Sequence, residues 1–343
     1  MVWLPATSPR EPRGICEVVD VADAFLTPFS NGQGHILDGK LNWVTGAVHD
    51  SEGLLVPASQ RLWSRDRPHA PVPVDPARVQ VRDDIRRLQG SWLYGGRWTH
   101  HFGHFFVETL TNLWPDPATA PVSGLLLHRS TRGGVARPGE GAGVTDTKVE
   151  PWQRDLLRLA GFGNIKIRVV RAQPVRVERL LVPAPPVVLS SFALPPAAAV
   201  WRRVSEAVGE RGTSPRVYLS RRLFHAEREG SAKHVRFSAD WEDVVEAAFA
   251  AAGFTVAHPE RLPIAEQIRI VRGADVLAGP SGSALHLSAF AEPGTRVLEL
   301  GDVRSPTAPM ASQRLIDAVS GHLTAFVGYE NRAALTRILA SLP

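Results

Sequence analysis

Residues 275–300 read DVLAGPSGSALHLSAFAEPGTRVLEL, and this stretch decides the fold. Asp275–Ala278 is a short apolar run of buried-strand type, and Gly279-Pro280-Ser281-Gly282-Ser283 places turn residues directly after it. Ser283–Ala291 has helical spacing, and Arg296–Leu300 returns to a strand pattern. Strand, glycine-rich turn, helix and strand in close succession predict a βα unit of a parallel sheet covered on both faces.

The alternation extends both ways. Upstream lie a helix at Ala197–Gly209, a strand at Arg216–Leu219, a helix at Asp240–Ala252, a strand at Phe254–Ala257 and a helix at Pro263–Arg272. The second of these helices has acidic residues in its first turn and Gly253 after its last, as a helix dipole and a left-handed cap require. Downstream come a helix at Ser312–Val319, a strand at Leu323–Val327 and a helix at Asn331–Leu342. The basic stretch Arg221–Arg236 interrupts the pattern and reads as a mobile segment.

Before Ala197 the regularity fails. Val182–Pro196 contains Pro183, Pro185, Pro186, Pro195 and Pro196 and no charge, the composition of a semi-rigid linker. The expected division is an N-terminal α/β domain over 1–182, a proline-rich linker over 183–196 and a C-terminal Rossmann-like domain over 197–343. Within the first domain, Leu41–Val48, Gly53–Pro57, Gly124–His128 and Ile165–Val170 read as strands, and Pro151–Gly161 as a short helix. His104–Trp114 carries Phe106, Leu110 and Leu113 at helical spacing until Pro115 and Pro117 end it. Arg61–Ala77, crowded with Pro and Arg, reads as an irregular excursion, and the Gly-rich Arg132–Thr147 as a mobile loop.

Composition excludes several classes. With 343 residues, 44% hydrophobic and 21% charged, the chain has material for about two cores and is not disordered. Its single cysteine, Cys16, excludes an internal disulfide and a cysteine-based zinc cage. The longest uncharged apolar stretch, Ala247–Ala257, is too short to span a bilayer, and the N-terminus lacks a signal-peptide core. A cytoplasmic protein is expected, with peripheral attachment to the inner face of the membrane compatible with it. The formal charge of +5 does not indicate nucleic acid. Among the 39 basic residues only Lys40, Lys148, Lys166 and Lys233 are lysine, as the codon usage of a GC-rich bacterial genome produces, and no basic run is interleaved with aromatics. A modest positive excess suits an anionic small ligand.

Three motifs carry chemistry. The Gly279–Ser283 turn between a strand and a helix presents unpaired backbone N–H groups and a positive dipole end, for which phosphate is the natural ligand. A tight turn closing a βα unit is the plain alternative. It is neither a Walker A loop nor G-x-G-x-x-G, and its second glycine falls one residue early for a nucleophile elbow. Tyr218-Leu219-Ser220-Arg221-Arg222 ends another strand of the same domain, where ligands of open α/β sheets bind. A hydroxyl and a guanidinium there suit a diphosphate, and an ordinary solvated arginine pair is the alternative. His104 and Glu108, four apart, share one helix face near its start, an imidazole–carboxylate pair fit for general-base work or for a structural hydrogen bond. His100 and His104 have the same spacing but lack a third metal ligand.

These motifs together resemble glycosyltransferase family 61. The likeness is carried by Gly253–Glu260, by Ala265–Ile268, by Gly273–His286 and by Gly294–Leu300, with Tyr218–Arg221 and Gly103–Glu108 in the family's order and spacing. The resemblance implies a GT-B-like α/β fold: two Rossmann-like domains facing across a cleft, the C-terminal one holding a nucleotide-sugar donor. It implies inverting, metal-independent transfer to a glycan or other hydroxyl acceptor, in bacterial capsular or other surface polysaccharide synthesis. No cofactor is expected beyond the nucleotide-sugar as co-substrate, and no D-x-D metal–diphosphate motif is present. The expected donor-binding residues are Ser220, Arg221, Gly279, Pro280, Ser281, Gly282 and Ser283, with Glu266 and Glu299 as candidates for the ribose. His104 and Glu108 are the expected catalytic pair. The family usually has His where this chain has Ser281, which places more of the diphosphate's neutralisation on Arg221 and the helix dipole. Two other readings follow from the residues. One is a catalytically degenerate nucleotide- or glycan-binding protein of a polysaccharide-assembly complex. The other is a serine hydrolase using Ser281 and His286.

Overall fold

The computed structural model describes residues 3–28, 36–37, 40–41, 47–60, 79–81, 84–119, 121–129, 144–145, 148–171, 173–227 and 236–342. The expected excursion over Arg61–Ala77, most of the loop over Arg132–Thr147 and half of the segment Arg221–Arg236 lie outside them. The chain divides into two compact units.

One unit comprises Pro12–Ser190 and Leu194–Val200. Its sheet is built on four parallel strands: β3 (Arg87–Trp98), β4 (Gly124–Arg129), β5 (Ile167–Val170) and β6 (Val175–Pro183), in the order β6-β3-β4-β5. Antiparallel β1 (Val18–Thr27) flanks β6, and β2 (Ala47–His49) pairs antiparallel with β1. The pairing of β1 with β6 puts acidic residues of one strand beside arginines of the other: Arg179 grips Asp20 at 2.7 Å, and Arg176 pairs with Asp23. Core residues Ala24, Leu26, Leu126, Val177 and Leu180 lie on or between these strands, fully buried. Helix α1 (Pro151–Leu159) starts with proline and a capping box in which Glu150 and Gln153 satisfy each other's backbone N–H groups.

The other unit comprises Trp201–Pro343 with Met1–Glu11 and Ser191–Ala193. Residues Met1–Glu11 thus belong with the C-terminal half of the chain. Its five parallel strands are β7 (Arg216–Leu219), β8 (Thr255–Ala257), β9 (Val276–Pro280), β10 (Arg296–Leu300) and β11 (Leu323–Val327), in the order β8-β7-β9-β10-β11. Leu4–Pro5 adds an antiparallel edge to β11. The helices following the linker are α2 (Pro195–Val208), α3 (Arg222–Ala226), α4 (Ala239–Ala251), α5 (Ile264–Arg272), α6 (Ala311–Ser320) and α7 (Arg332–Ala340). Tyr218, Trp241, Phe249, Ala278, Leu298 and Val327 form one buried cluster beneath α4 and α7.

Two expectations are corrected. Val182–Pro196 is not an exposed tether: β6 runs to Pro183, α2 begins at Pro195, and Val187, Val188, Phe192 and Ala193 are buried. Its apolar residues are core material, and its prolines sit at strand and helix ends where no N–H is needed. After Gly282 no α-helix forms. The chain makes a turn and then a six-residue 3₁₀ run, Leu285–Phe290, all of it buried. A segment this short cannot supply the dipole that the sequence suggests.

Candidate functional site

In the five-stranded sheet, the chain leaves β7 to form β8 on one side and returns to form β9 on the other. The order reverses between β7 and β9, and the carboxyl ends at such a switch point are where open α/β sheets bind ligands. Ser220-Arg221 follows β7 there, and Ser281-Gly282-Ser283 follows β9. The parallel register of Tyr218 with Ala278 aligns the two strand ends.

Hydrogen bonds to the buried Glu299 and the half-buried Glu246 fix these turns. The Ser281 hydroxyl donates to Glu299 Oε1 at 2.6 Å and approaches Leu300 O at 3.0 Å, while its N–H donates to Leu300 O at 2.8 Å. Glu299 also accepts from the Met310 N–H, and burial pushes its carboxyl up to about 8, so it holds a proton near neutrality. Ser220 donates to Glu246 at 2.7 Å and accepts from the Arg222 N–H at 3.1 Å. Glu266 lies on α5 and is held by Arg269 at 2.6 Å, which lowers its pKa. Ser220 and Ser281 have turned their hydroxyl protons toward carboxylates, Glu299 supports the turn, and Glu266 forms a helix-surface ion pair. Gly279 and Pro280 are the buried last residues of β9.

Gly282 and the arginines around it form the open part. Gly282 has φ +123°, and a Cβ placed on it would lie 3.1 Å from Arg304 Nη2 and 3.6 Å from Arg221 Nη1. Arg221 stacks on Phe224, its guanidinium carbon 4.4 Å from the ring centre. Among the described residues its guanidinium has no hydrogen bond and no carboxylate within ion-pair distance. Burial first, then the like charges of Arg304 and Arg236, bring its pKa down to about 10, against an opposing pull from Glu260 and Glu242. An arginine in that state is a candidate anion-binding group.

In the other unit, Phe102–Leu113 is one helical stretch of changing pitch. Phe105–Thr109 is a π-turn closed by Leu110 N to Phe105 O at 2.7 Å. Such a turn inserts an extra residue and re-aims the side chains on its face. It is braced by Thr109 Oγ1 donating to Arg97 O at 2.6 Å and by edge-to-face packing of Phe105 on Trp98 and Trp152. On it, His104 Nδ1 meets Glu108 Oε2 at 2.5 Å, and Arg97 approaches the same oxygen at 3.4 Å. Glu108 is 12% exposed and His104 38%. Glu108 and Arg97 line a pocket with Tyr94, Gly96 and Asn112. The ring of His101 lies 4.7 Å from that of His104, and its Nδ1 accepts from the His104 N–H.

The family model of glycosyltransferase 61 matches residues 102–298, which include His104 and Glu108 of the one constellation and Ser220, Arg221, Ser281 and Gly282 of the other. The chain belongs to glycosyltransferase family 61. A comparison with the curated proteins returns no match. The chain is thus a glycosyltransferase, with a sugar donor and an acceptor as substrates.

For this glycosyltransferase the serine-hydrolase reading fails on geometry. His286 bonds Gln313 Oε1 at 2.8 Å and neighbours Ser312, while Ser281 bonds Glu299. His286 belongs to a buried network in which Gln313 also serves Ser288 and Asp317, and Asp317 holds His322. Among the described residues no three His, Cys, Asp or Glu side chains converge as a metal site, and no helix is long and apolar enough to cross a membrane. The sequence reading missed Arg97, Arg236 and Arg304. In a chain this rich in arginine, only their spatial neighbours distinguish them.

Proposed function

We propose that this family 61 glycosyltransferase takes its sugar from a nucleoside diphosphate and transfers it to a hydroxyl acceptor with inversion, without a metal ion. Its role would lie in bacterial surface polysaccharide synthesis, in a GT-B arrangement where one unit holds the donor and the other activates the acceptor. One observation carries the donor assignment: Arg221, unpaired among the described residues, stands beside Gly282 at the switch point of a doubly wound sheet. A leaving diphosphate needs fixed donors where its charge develops, and a guanidinium in a partly desolvated place provides them without reorganisation.

Glu108, close to both His104 and Arg97, is best written as the carboxylate anion, so His104 Nδ1–H donates to it. That leaves Nε2 as the basic nitrogen. It takes the proton of the acceptor hydroxyl as the oxygen attacks the anomeric carbon, and Glu108 stabilises the imidazolium that forms. The bond from the anomeric carbon to the diphosphate oxygen breaks, and the leaving charge goes to Arg221. The test is calorimetric titration with a panel of nucleoside diphosphates, followed by product anomer analysis by NMR. Binding of one diphosphate and an inverted anomer, with transfer unchanged in EDTA, are expected. Absence of diphosphate binding, or activity that returns only with added divalent metal, overturns the reading.

A further inference from the structure

We propose that Arg304, positioned by the buried Asp302, is a second donor-phosphate-binding residue, just beyond the stretch that the family model covers. The proposal rests on the reading of the Gly282 turn as the diphosphate site. Asp302-Val303-Arg304 follows β10 after the single residue Gly301. Asp302 is fully buried and accepts from the Arg304 backbone N–H at 2.8 Å, from Nε at 2.9 Å and from Nη2. A two-point fork of this kind fixes the plane of the guanidinium and not merely its location. Nη2 donates in addition to Ser281 O at 2.9 Å, which ties the same guanidinium to the donor turn.

One edge of Arg304 is therefore committed to the protein and the other is not. Among the described residues Nη1 has no hydrogen-bond partner, and the Arg304 side chain is 34% exposed above an Asp302 that is 0% exposed. The anchor is buried, and the side chain it holds is partly open to solvent. Arg221 also reaches Gly282, so two guanidiniums stand within 3.6 Å of the place that one added carbon would take. Arg236 bears on both electrostatically, and among the described residues Asp302 is the sole carboxylate in an ion pair with any of the three. Three like charges so close are unfavourable unless an anion bridges them. A diphosphate has the charge and the number of acceptor oxygens to do so.

The opposing reading makes Arg304 a strap, needed only to neutralise Asp302 and hold the turn. Titration of the wild-type protein and of Arg304→Met, Arg304→Lys and Asp302→Asn separates the two, using the best-binding nucleoside diphosphate and its phosphate-free nucleoside. A hydrogen bond to a charged group implies a loss of about ten- to a hundred-fold in diphosphate affinity for Arg304→Met. A smaller loss is expected for Arg304→Lys and for Asp302→Asn, with nucleoside affinity unchanged in all three. Arg304→Lys keeps a cation beside Asp302 and decides the matter if Arg304→Met does not fold. Diphosphate affinity within two-fold of wild type in Arg304→Lys and in any folded Arg304→Met overturns the proposal, as does an equal loss for diphosphate and nucleoside. Failure of the wild-type protein to bind any nucleoside diphosphate instead overturns the donor-site reading beneath it.

Discussion

The two constellations handle charge in opposite ways. Around Glu108 every charge meets its complement: one carboxylate oxygen takes both His104 and Arg97. At Gly282, Arg221 and Arg304, with Arg236 coupled to both, share a single ion-paired carboxylate among the described residues, and Arg221 is in no ion pair there. A neutralised cluster is suited to moving a proton, because the positive charge that forms on the base already has its counter-charge in place. A cluster of one sign is suited to binding, because its repulsion is relieved only by a ligand. The arrangement costs stability in the empty protein and returns it as affinity.

The contrast can be broken most sharply at the proton-handling pair. Replacing the base should cost roughly 10²–10⁴-fold in turnover. His104→Ala is expected to show that loss with donor affinity unchanged, and Glu108→Gln a comparable or smaller one. Near-normal turnover in both variants, measured by steady-state product formation, would remove the pair from the chemistry.

Glu299 tests whether the turn beneath the arginines is held by a neutral group. Its pKa is raised to about 8 from 4.5, so the stability it contributes is full below pH 4.5 and is lost as pH rises through 8. Glu299→Gln, which mimics the protonated acid, should therefore gain on the wild type by up to a few kcal/mol across that window and level off above it. Parallel melting curves of the two proteins from pH 4 to 9 check this; a constant difference would contradict it.

Arg221 should show the trade of stability for binding. Arg221→Met is expected to weaken nucleoside diphosphate binding by about 1.5–3 kcal/mol. It should also raise the melting temperature of the ligand-free protein by about 2–4 °C, as relief of about 1 kcal/mol would in a unit of this size. A lower melting temperature would mean that Arg221 has a structural partner.

The smallest effect belongs to its neighbour. Arg222 pairs with Asp243 on the surface of α3 and α4, with both side chains about half exposed. Exposed pairs contribute little, so Arg222→Ala should change stability by less than about 1 kcal/mol and diphosphate affinity not at all. A calorimetric titration in which Arg222→Ala matched Arg221→Met would erase the distinction between the two residues.

Legibility in the sequence follows burial. In the second half of the chain, β7, β10 and β11 stand at the expected residues, because parallel strands covered on both faces read as uninterrupted apolar runs. In the first half, β1, β3 and β6 were not legible. Arg87–Trp98 contains Gly90, Gly95 and Gly96, and β1 and β6 carry the Asp20, Asp23, Arg176 and Arg179 that pair across strands. A cross-strand ion pair looks like loop composition until its partner is known. The site was legible in part for the same reason. Arg221 and Gly282 stood out through their place at strand ends, and His104 with Glu108 through helical spacing. That the Ser220 and Ser281 hydroxyls donate to carboxyl groups was not legible, because a hydroxyl aimed inward and one aimed outward have the same letter. Arg304 was invisible because its meaning lies in Asp302 and Ser281, not in its neighbours along the chain.

The pairing of Leu4 with Thr324 joins the first residues of the chain to strand β11, and Arg314 adds a hydrogen bond to Thr7 at 3.2 Å. The donor-side sheet is therefore finished by a piece of backbone made long before the strand it pairs with. During synthesis that segment has no partner until β11 emerges, so this edge is among the last parts of the sheet to form. A fragment begun at residue 191 would lack it and would present β11 as an open edge, the template on which copies of a sheet stack into aggregates.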